Sequence, residues 1–482
     1  MHLFGVMRRD IVSKFSGEVF SRALFLIFFF YAGRKLGTTD FGTLNVALST
    51  TYILGVLFLD TGMNLSTIQL LVADKEPRDK IASAVFSFKL LMYPFLVLVM
   101  WVMSRAMGKR LPTFTILLLA SFFALFTSLL EYLCSITNAY HRMDLEAFLK
   151  IFNRVCIVLF GFVALRLGHT TAVLWAMWTA TLLACVLALF VLRSRLVPIY
   201  LFWDPQVIRR ALKAGLPIAG TMIVGTIYLK WDLLVLSYFN IGKQQIGWYA
   251  SAFKIVEAFA ALPTLLGAAL FPMILQLRIQ NPAALDRLLC ASTKAVLLFS
   301  IPVAATISLF SAQIISAVYG KSYLPGANAL AIIIWCIVPI FLYFYLMFVN
   351  VAAGHAKANL LSACVALAAG LAANVILVPK IGYLGAAWSA LIANSSFAAL
   401  ATWRVCTLFR KARIPPMLLK VFVAGGLMAA VGLYISTSVL VQFGFGLLAY
   451  GVVLVVTGAL RTEDLSLVLR MFQVPIQPQP QT

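Results

Sequence analysis

Residues 326–351 read GANALAIIIWCIVPIFLYFYLMFVNV, a run of twenty-six residues that contains no Asp, Glu, Lys or Arg. About twenty consecutive apolar residues are enough for an α-helix to cross the hydrocarbon core of a bilayer. The apolar residues do not alternate with polar ones, so the pattern indicates a helix and not a barrel strand. A helix also satisfies its own backbone hydrogen bonds, which lipid cannot do. The stretch therefore predicts a transmembrane helix.

The composition of the whole chain extends this prediction. The 482 residues are 62% hydrophobic and only 11% charged, and the mean hydropathy is +0.98. Soluble domains carry about 45–50% apolar and about 25% charged residues, so a water-soluble enzyme of this size is excluded. The formal net charge is +22. Most basic residues lie in short segments between apolar runs, which is typical of membrane topology signals and not of a nucleic-acid-binding surface.

The hydropathy pattern predicts an all-α membrane protein with about fourteen transmembrane helices. With the N-terminus inside, the inner segments hold more than twice as many Lys and Arg residues as the outer loops. This bias predicts that both termini are cytoplasmic, in a multi-pass protein of the cell inner membrane. The spans are expected near residues 15–33, 42–72, 82–104, 113–139, 146–166, 171–193, 214–238, 245–274, 288–317, 326–351, 358–377, 383–408, 416–437 and 443–460.

The connections between the spans suggest a division into two lobes. Gly37-x4-Gly42 opens the second span and Gly242-x4-Gly247 opens the eighth, which is a trace of an internal repeat. Transporters built from repeats place the substrate site between them. We therefore expect an N-terminal six-helix lobe at 1–193, a cytoplasmic linker at 194–212, a C-terminal six-helix lobe at 213–410, two additional helices at 411–474 and a disordered tail at 475–482.

Four motifs, in order along the chain, resemble those of one transporter family. Residues 36–42, LGTTDFG, are similar to the first external loop of the Wzx-type polysaccharide flippases, whose pattern is roughly Leu-Gly-x-x-acid-aromatic-Gly. Residues 59–62, LDTG, resemble the Asp-x-Gly turn of that family. Residues 215–218, GLPI, resemble the start of its seventh helix, and residues 379–387, PKIGYLGAA, resemble its loop into helix twelve.

The resemblance implies the multidrug/oligosaccharidyl-lipid/polysaccharide exporter (MOP) superfamily. Its fold has two six-helix lobes around a central cavity, with helices one, two, seven and eight beside that cavity. Its polysaccharide branch carries undecaprenyl-diphosphate-linked glycans from the inner to the outer leaflet during surface polysaccharide biosynthesis, O-antigen of lipopolysaccharide included. The expected partners are the lipid-linked oligosaccharide, membrane lipids and, as a candidate, the polymerase machinery that extends the glycan.

Three basic residues are predicted near the middle of the membrane: Arg22, Lys230 and Lys254. An ionisable residue at that depth faces a cavity or a partner by default. If they line the cavity that the resemblance implies, they can bind the diphosphate of the substrate. The alternative is local ion pairing, because Glu18 and Arg22 are spaced i,i+4 and Lys254 and Glu257 are spaced i,i+3.

Other intramembrane charges are candidates for ion coupling or structural pairing. Asp60 is either an ion or proton site or a residue that kinks its helix before Gly62, and Asp232 is a further coupling or ion-pair candidate together with Glu18 and Glu257. For Lys89 and Arg154 we expect structural pairing, with Glu131 as the suggested partner.

The motifs of catalysis and of cofactor binding are missing from the sequence. No P-loop is present, the four His are scattered, the seven Cys make no CxxC pair, and the outer loops are short and poor in carboxylates. We therefore expect no metal, no cofactor and no enzyme activity. Three functions stay open: a flippase for lipid-linked oligosaccharide working by alternating access, an ion-coupled multidrug antiporter of the same superfamily, and a membrane-embedded sugar transferase or polymerase.

Overall fold

The structure is a computed structural model that describes residues 2–73, 77–260, 262–280 and 282–408, together with Gly426 and Tyr450. This part of the chain is helical, without a β-strand. Short 3₁₀ helices occur at Gly108–Arg110, Lys321–Tyr323 and Ile334–Cys336. The α-helices are α1 His2–Phe58, α2 Met63–Ala73, α3 Arg78–Met107, α4 Phe114–Ala139, α5 Met143–Ala164, α6 Thr170–Arg195, α7 Pro205–Tyr238, α8 Lys243–Ala260, α9 Leu262–Gln280, α10 Pro282–Leu309, α11 Ser311–Tyr319, α12 Gly326–Ile333, α13 Ile337–Ala352, α14 Ala356–Ile381 and α15 Tyr383–Leu408.

The helices confirm the prediction of an all-α membrane fold. Within the described residues, nine helical segments are long and apolar enough to cross a membrane, and the first of these, Phe20–Val72, merges the first two predicted spans. The predicted spans at 214–238 and 245–274 fall in α7 and in α8 with α9, which are not among the nine. The spans predicted at 416–437 and 443–460 and the tail at 475–482 lie outside the described residues.

Several predicted spans are broken, each at a residue with a local reason. α1 bends at Gly37, whose φ of 76° is accessible to glycine at little cost. The chain breaks again between Phe58 and Met63, where Gly62 has a φ of 71°, so the kink predicted beside Asp60 is present. In 326–351, the ring of Pro339 leaves the Trp335 carbonyl without its i+4 donor, next to the 3₁₀ turn.

The described helices cluster into two compact units. Unit 1 comprises residues 1–251, 315–326 and 374–386, and in it α4 packs on α6, α1 packs on α5, and α7 packs on α1, α2 and α3. Unit 2 comprises residues 252–314, 327–373 and 387–482, and in it α13 packs on α9 and α10. The lobes at 1–193 and 213–410 stay a prediction.

Candidate functional site

The three predicted cavity cations are distributed over both units. Arg22 on α1 and Lys230 on α7 belong to unit 1, and Arg22 is exposed while Lys230 is partly buried. Lys254 on α8 belongs to unit 2, where its Nζ lies 2.7 Å from Oε2 of Glu257. The i,i+3 ion pair that the sequence predicts for these two residues is therefore present. The side chain of Glu18 lies outside the described part of α1, so its pairing with Arg22 stays a prediction.

A carboxylate on α7 is held by two neutral side chains from other helices of unit 1. Tyr249 Oη on α8 donates to Oδ2 of Asp232 at 2.8 Å, and Asn374 Nδ2 on α14 donates to Oδ1 at 2.8 Å. Sequence reasoning identified Asp232 but missed Asn374, whose only signal is a polar residue inside an apolar run. The arrangement places a carboxylate, an amide and a hydroxyl together at the meeting point of three helices.

A second carboxylate takes part in a buried ion pair of unit 1. Lys89 on α3 is 1% exposed, and its Nζ lies 3.9 Å from Oδ1 of Asp60. The same Nζ donates to Ser128 Oγ at 3.0 Å and lies 5.4 Å from the centroid of the Tyr132 ring. The expected structural pairing of Lys89 is therefore present: Asp60 makes the direct contact, and the suggested Glu131 also attracts the Lys89 ammonium electrostatically. Ser128 and Tyr132, which contact Lys89, lie at i−3 and i+1 from Glu131 on α4.

Arg154 interacts electrostatically with the suggested Glu131 and also makes a contact that the sequence did not predict. Its guanidinium carbon lies 4.0 Å from the centroid of the Phe25 ring on α1. A guanidinium over an aromatic face gains cation–π attraction, which is stronger where water is excluded. Arg154 therefore helps to hold α5 against α1.

Glycines bring backbones into direct contact at two places in unit 1. A Cβ on Gly42 would lie 2.8 Å from the amide nitrogen of Gly247 and even closer to the carbonyl oxygen of Lys243. A Cβ on Gly215 would lie 2.8 Å from the carbonyl oxygen of Thr61, beside Gly62. Only residues without a side chain allow such approaches. The two glycine pairs noticed as a repeat thus include two residues, Gly42 and Gly247, that touch each other.

Aromatic side chains surround the first of these contacts. Tyr323 Oη donates to the carbonyl oxygen of Gly33 at 2.6 Å, and the Phe41 ring lies 6.1 Å from Tyr323 and 5.8 Å from Tyr319 between centroids. Phe41 and Tyr323 are fully buried. These contacts hold residues 319–323 against α1 at the end that the charge bias predicts to face outward.

The family of the chain is indicated by its sequence. Residues 7–278, more than half of the chain, match the model of a family described as "Polysaccharide biosynthesis protein". No curated protein is similar enough in sequence to count as a match. Among the described residues, no group of three His, Cys, Asp or Glu could hold a metal ion.

Solved structures with the same fold are transporters. The fold is similar to that of the lipid II flippase MurJ in an inward closed conformation, with a TM-score of 0.75 and 18% identity over 92% of this chain and 98% of that chain. An inward-facing multidrug resistance MATE family transporter of the MOP superfamily gives a TM-score of 0.63 and 16% identity over 81% and 96% of the two chains. A MOP superfamily transporter from Pyrococcus furiosus gives 0.53 and 14% over 84% and 96%. At these identities the likeness shows the fold alone, which this chain shares with these transporters.

Proposed function

The chain belongs to the polysaccharide biosynthesis protein family, and we propose that it is a flippase for a polyprenyl-diphosphate-linked oligosaccharide. The direction of transport in this proposal is from the cytoplasmic to the outer leaflet of the inner membrane, in surface polysaccharide biosynthesis. The two six-helix lobes would alternate between inward and outward access, with both termini in the cytoplasm. O-antigen of lipopolysaccharide is one glycan that such a protein would carry, and polymerase machinery would act on the product.

The observation that carries the proposal is the presence of Arg22 on α1, Lys230 on α7 and Lys254 on α8 in a membrane protein of this family. A basic residue in a membrane helix is costly unless it has a function or a partner. A lipid diphosphate must exchange its water shell for fixed cations before it can pass through a membrane protein. Arg can bind a phosphate through two parallel hydrogen bonds, while Lys acts as a point charge. The polyprenyl tail can stay in lipid throughout.

We assign the coupling role to Asp232, in comparison with Asp60 and Glu257, the other acidic candidates whose side chains the structure describes. Lys254 neutralises Glu257 at 2.7 Å and Lys89 lies 3.9 Å from Asp60, so either carboxylate would have to leave a cation in order to change its charge state. The side chains bonded to Asp232 in the described structure are a hydroxyl and an amide. A carboxylate with neutral partners can take up a proton or a small cation without first breaking an ion pair.

The second candidate function is a multidrug antiporter, because a multidrug resistance MATE transporter shares the fold. A protein that exports cationic drugs needs acidic groups along its path, while Arg22, Lys230 and Lys254 would repel such a cargo. The remaining alternative, a membrane-embedded sugar transferase or polymerase, needs exposed carboxylates. Asp40, the acidic residue predicted for an outer loop, lies within α1, one turn after the bend at Gly37.

Export in cells tests the proposal. Cells that depend on this chain would express Arg22→Ala, Lys230→Ala or Lys254→Ala, and the glycan on each leaflet would be measured together with the membrane level of each variant. We expect glycan to accumulate on the cytoplasmic leaflet while the protein is present. The matched control is Arg193→Ala/Arg195→Ala, which removes two exposed cations at the end of α6 and should export normally. Normal export by all three cavity variants would contradict the diphosphate role, and efflux of cationic drugs would support the antiporter.

A further inference from the structure

The segment between α6 and α7 is hydrogen-bonded to α3 at regularly spaced residues. Ser83 Oγ accepts from the amide of Tyr200 at 3.1 Å, and Ser87 Oγ accepts from the amide of Phe202 at 3.0 Å. One turn earlier on α3, Asp79 Oδ2 accepts from Tyr200 Oη at 3.0 Å.

The spacing of these bonds explains their regularity. Four residues of an α-helix rise about 6 Å, and two residues of extended chain rise about 6.6 Å. Ser83 and Ser87 are four residues apart, whereas Tyr200 and Phe202 are two apart, so the two hydroxyls match alternate amides of the extended segment. The residues predicted as a linker at 194–212 therefore include an ordered strap on α3.

The strap ends at an apolar groove with basic residues on its wall. The ring of Trp203 stacks on that of Phe88 with 6.4 Å between centroids and 29° between planes. Next to this pair, one face of α7 completes a groove with a cavity volume of about 370 Å³. We call it the linker groove; its walls are formed by Phe88, Trp203, Ile208, Leu212 and Leu216, with Arg209 and Lys213 among them.

The basic residues are placed where a charged headgroup would meet the groove. Arg209 and Lys213 are exposed and spaced i,i+4, so they lie on one side of α7 about one turn apart. Asp204 caps the helix by accepting from the amides of Gln206 at 2.8 Å and Val207 at 3.2 Å, which fixes the first turn. Trp203 is 51% exposed beside them, as is common for Trp at a membrane interface.

We propose that the linker groove binds an anionic phospholipid of the leaflet that faces the linker. One acyl chain lies along Phe88, Leu212 and Leu216, and the phosphate lies between Arg209 and Lys213. Charge complementarity selects this occupant, because the cytoplasmic leaflet carries anionic headgroups and basic residues at its surface attract them. Arg22, Lys230 and Lys254 are not among the residues that line the groove, and in this proposal the lipid is a bound membrane component and not the transported cargo.

The test uses the full chain in bilayer nanodiscs, without any glycan substrate, so that its result does not depend on transport. A photoreactive phosphatidylglycerol and a photoreactive phosphatidylcholine are compared, and the labelled peptides are identified by mass spectrometry. We expect the anionic probe to label the peptides of the linker groove preferentially. Arg209→Gln/Lys213→Gln should reduce this preference by roughly tenfold or more, because each basic residue near the surface contributes attraction.

Two controls separate the groove from a generally basic surface. Arg193→Gln/Arg195→Gln removes the same number of exposed charges at the end of α6 and should leave labelling of the groove unchanged. Leu212→Trp fills the groove while keeping both cations, and it should abolish labelling by either probe. If the double Gln variant does not fold, Leu212→Trp alone tests whether the lipid binds in the groove.

Three results would overturn the proposal. The first is equal labelling of the groove in the double Gln variant and the unchanged protein. The second is an equal loss in the α6 control, which would make the attraction a property of the whole surface. The third is competition by a polyprenyl phosphate but not by unlabelled phosphatidylglycerol, which would make the groove a site for the carrier lipid.

Discussion

Nζ of Lys89 lies 3.9 Å from Oδ1 of Asp60, so a buried cation of α3 is paired with the carboxylate at the break between α1 and α2. Ser128 Oγ accepts from this Lys and donates to the carbonyl oxygen of Leu59 at 3.3 Å. Side chains of both α3 and α4 therefore contact the chain at the break between α1 and α2. Gly62, two residues after Asp60, contacts Gly215 of α7, so α7 meets the chain directly beside this pair.

Removal of one partner of this pair should destabilise the protein. Lys89→Met keeps the length of the side chain but leaves Asp60 without its cation, at a cost of about 3–5 kcal/mol in a buried site. Asp60→Asn/Lys89→Met should recover part of the loss, because neither charge then remains. Thermal unfolding of the purified variants in detergent measures both effects. Equal stability of Lys89→Met and the unchanged protein would show that the pair contributes nothing.

Substitution of Gly42 should separate two backbones. Gly42→Ala places a Cβ 2.8 Å from the Gly247 amide nitrogen, and backbone atoms cannot move aside as a flexible side chain can. We expect destabilisation of about 1–3 kcal/mol, as for other overpacked sites, and a lower rate of glycan export.

Gly55→Ala is the matched control in the same helix, because its new Cβ would lie 3.9 Å from Ala124 Cβ, an ordinary contact. It should be neutral or slightly stabilising, since Ala is the better helix former by about 1 kcal/mol. Thermal unfolding and export are measured for both variants. If Gly42→Ala behaves like Gly55→Ala, the close approach is not required.

Asp232→Asn should remove ion coupling while the protein stays folded. The Asn side chain keeps a hydrogen-bonding group for Tyr249 and Asn374 but can no longer change its charge. In proteoliposomes, we expect the initial transport rate of the variant to be insensitive to imposed proton or sodium gradients. Asp204→Asn, at the cap of α7, should retain the dependence because Asn caps as well as Asp. A gradient response retained by Asp232→Asn would move the coupling role to another residue.

The pair Lys254 and Glu257 allows the substrate role to be separated from a structural one. If Lys254 binds the diphosphate, Lys254→Ala should lower export, and the additional change Glu257→Gln should not restore it. If Lys254 only neutralises Glu257, the double variant should regain export because no unpaired carboxylate remains. Glu257→Gln alone gives the baseline, and membrane levels of all three variants are needed for the comparison.

Spacing along one helix predicted the ion pair within α8, but it did not predict the contacts between different helices. The Lys254–Glu257 pair follows from i,i+3 geometry on one helix, which any sequence of that spacing offers. The bond between Asp232 and Asn374 joins residues 142 apart in sequence, and no local pattern relates them. Asp60 as the direct partner of Lys89 was missed for the same reason, since the contact depends on how α3 packs against α1 and α4.

The sequence by itself determined that this chain is an all-α membrane protein of a polysaccharide biosynthesis family. Hydropathy and helix length are properties of a single segment. Each segment that crosses the bilayer must be long and apolar enough, and must satisfy its own backbone hydrogen bonds, wherever the other segments lie. The tertiary structure alone decided which charges on different helices meet, which glycines touch, and that the linker lies on α3 through Ser83 and Ser87. These contacts depend on helix packing at ångström precision, because hydrogen bonds and steric overlap change within a few tenths of an ångström.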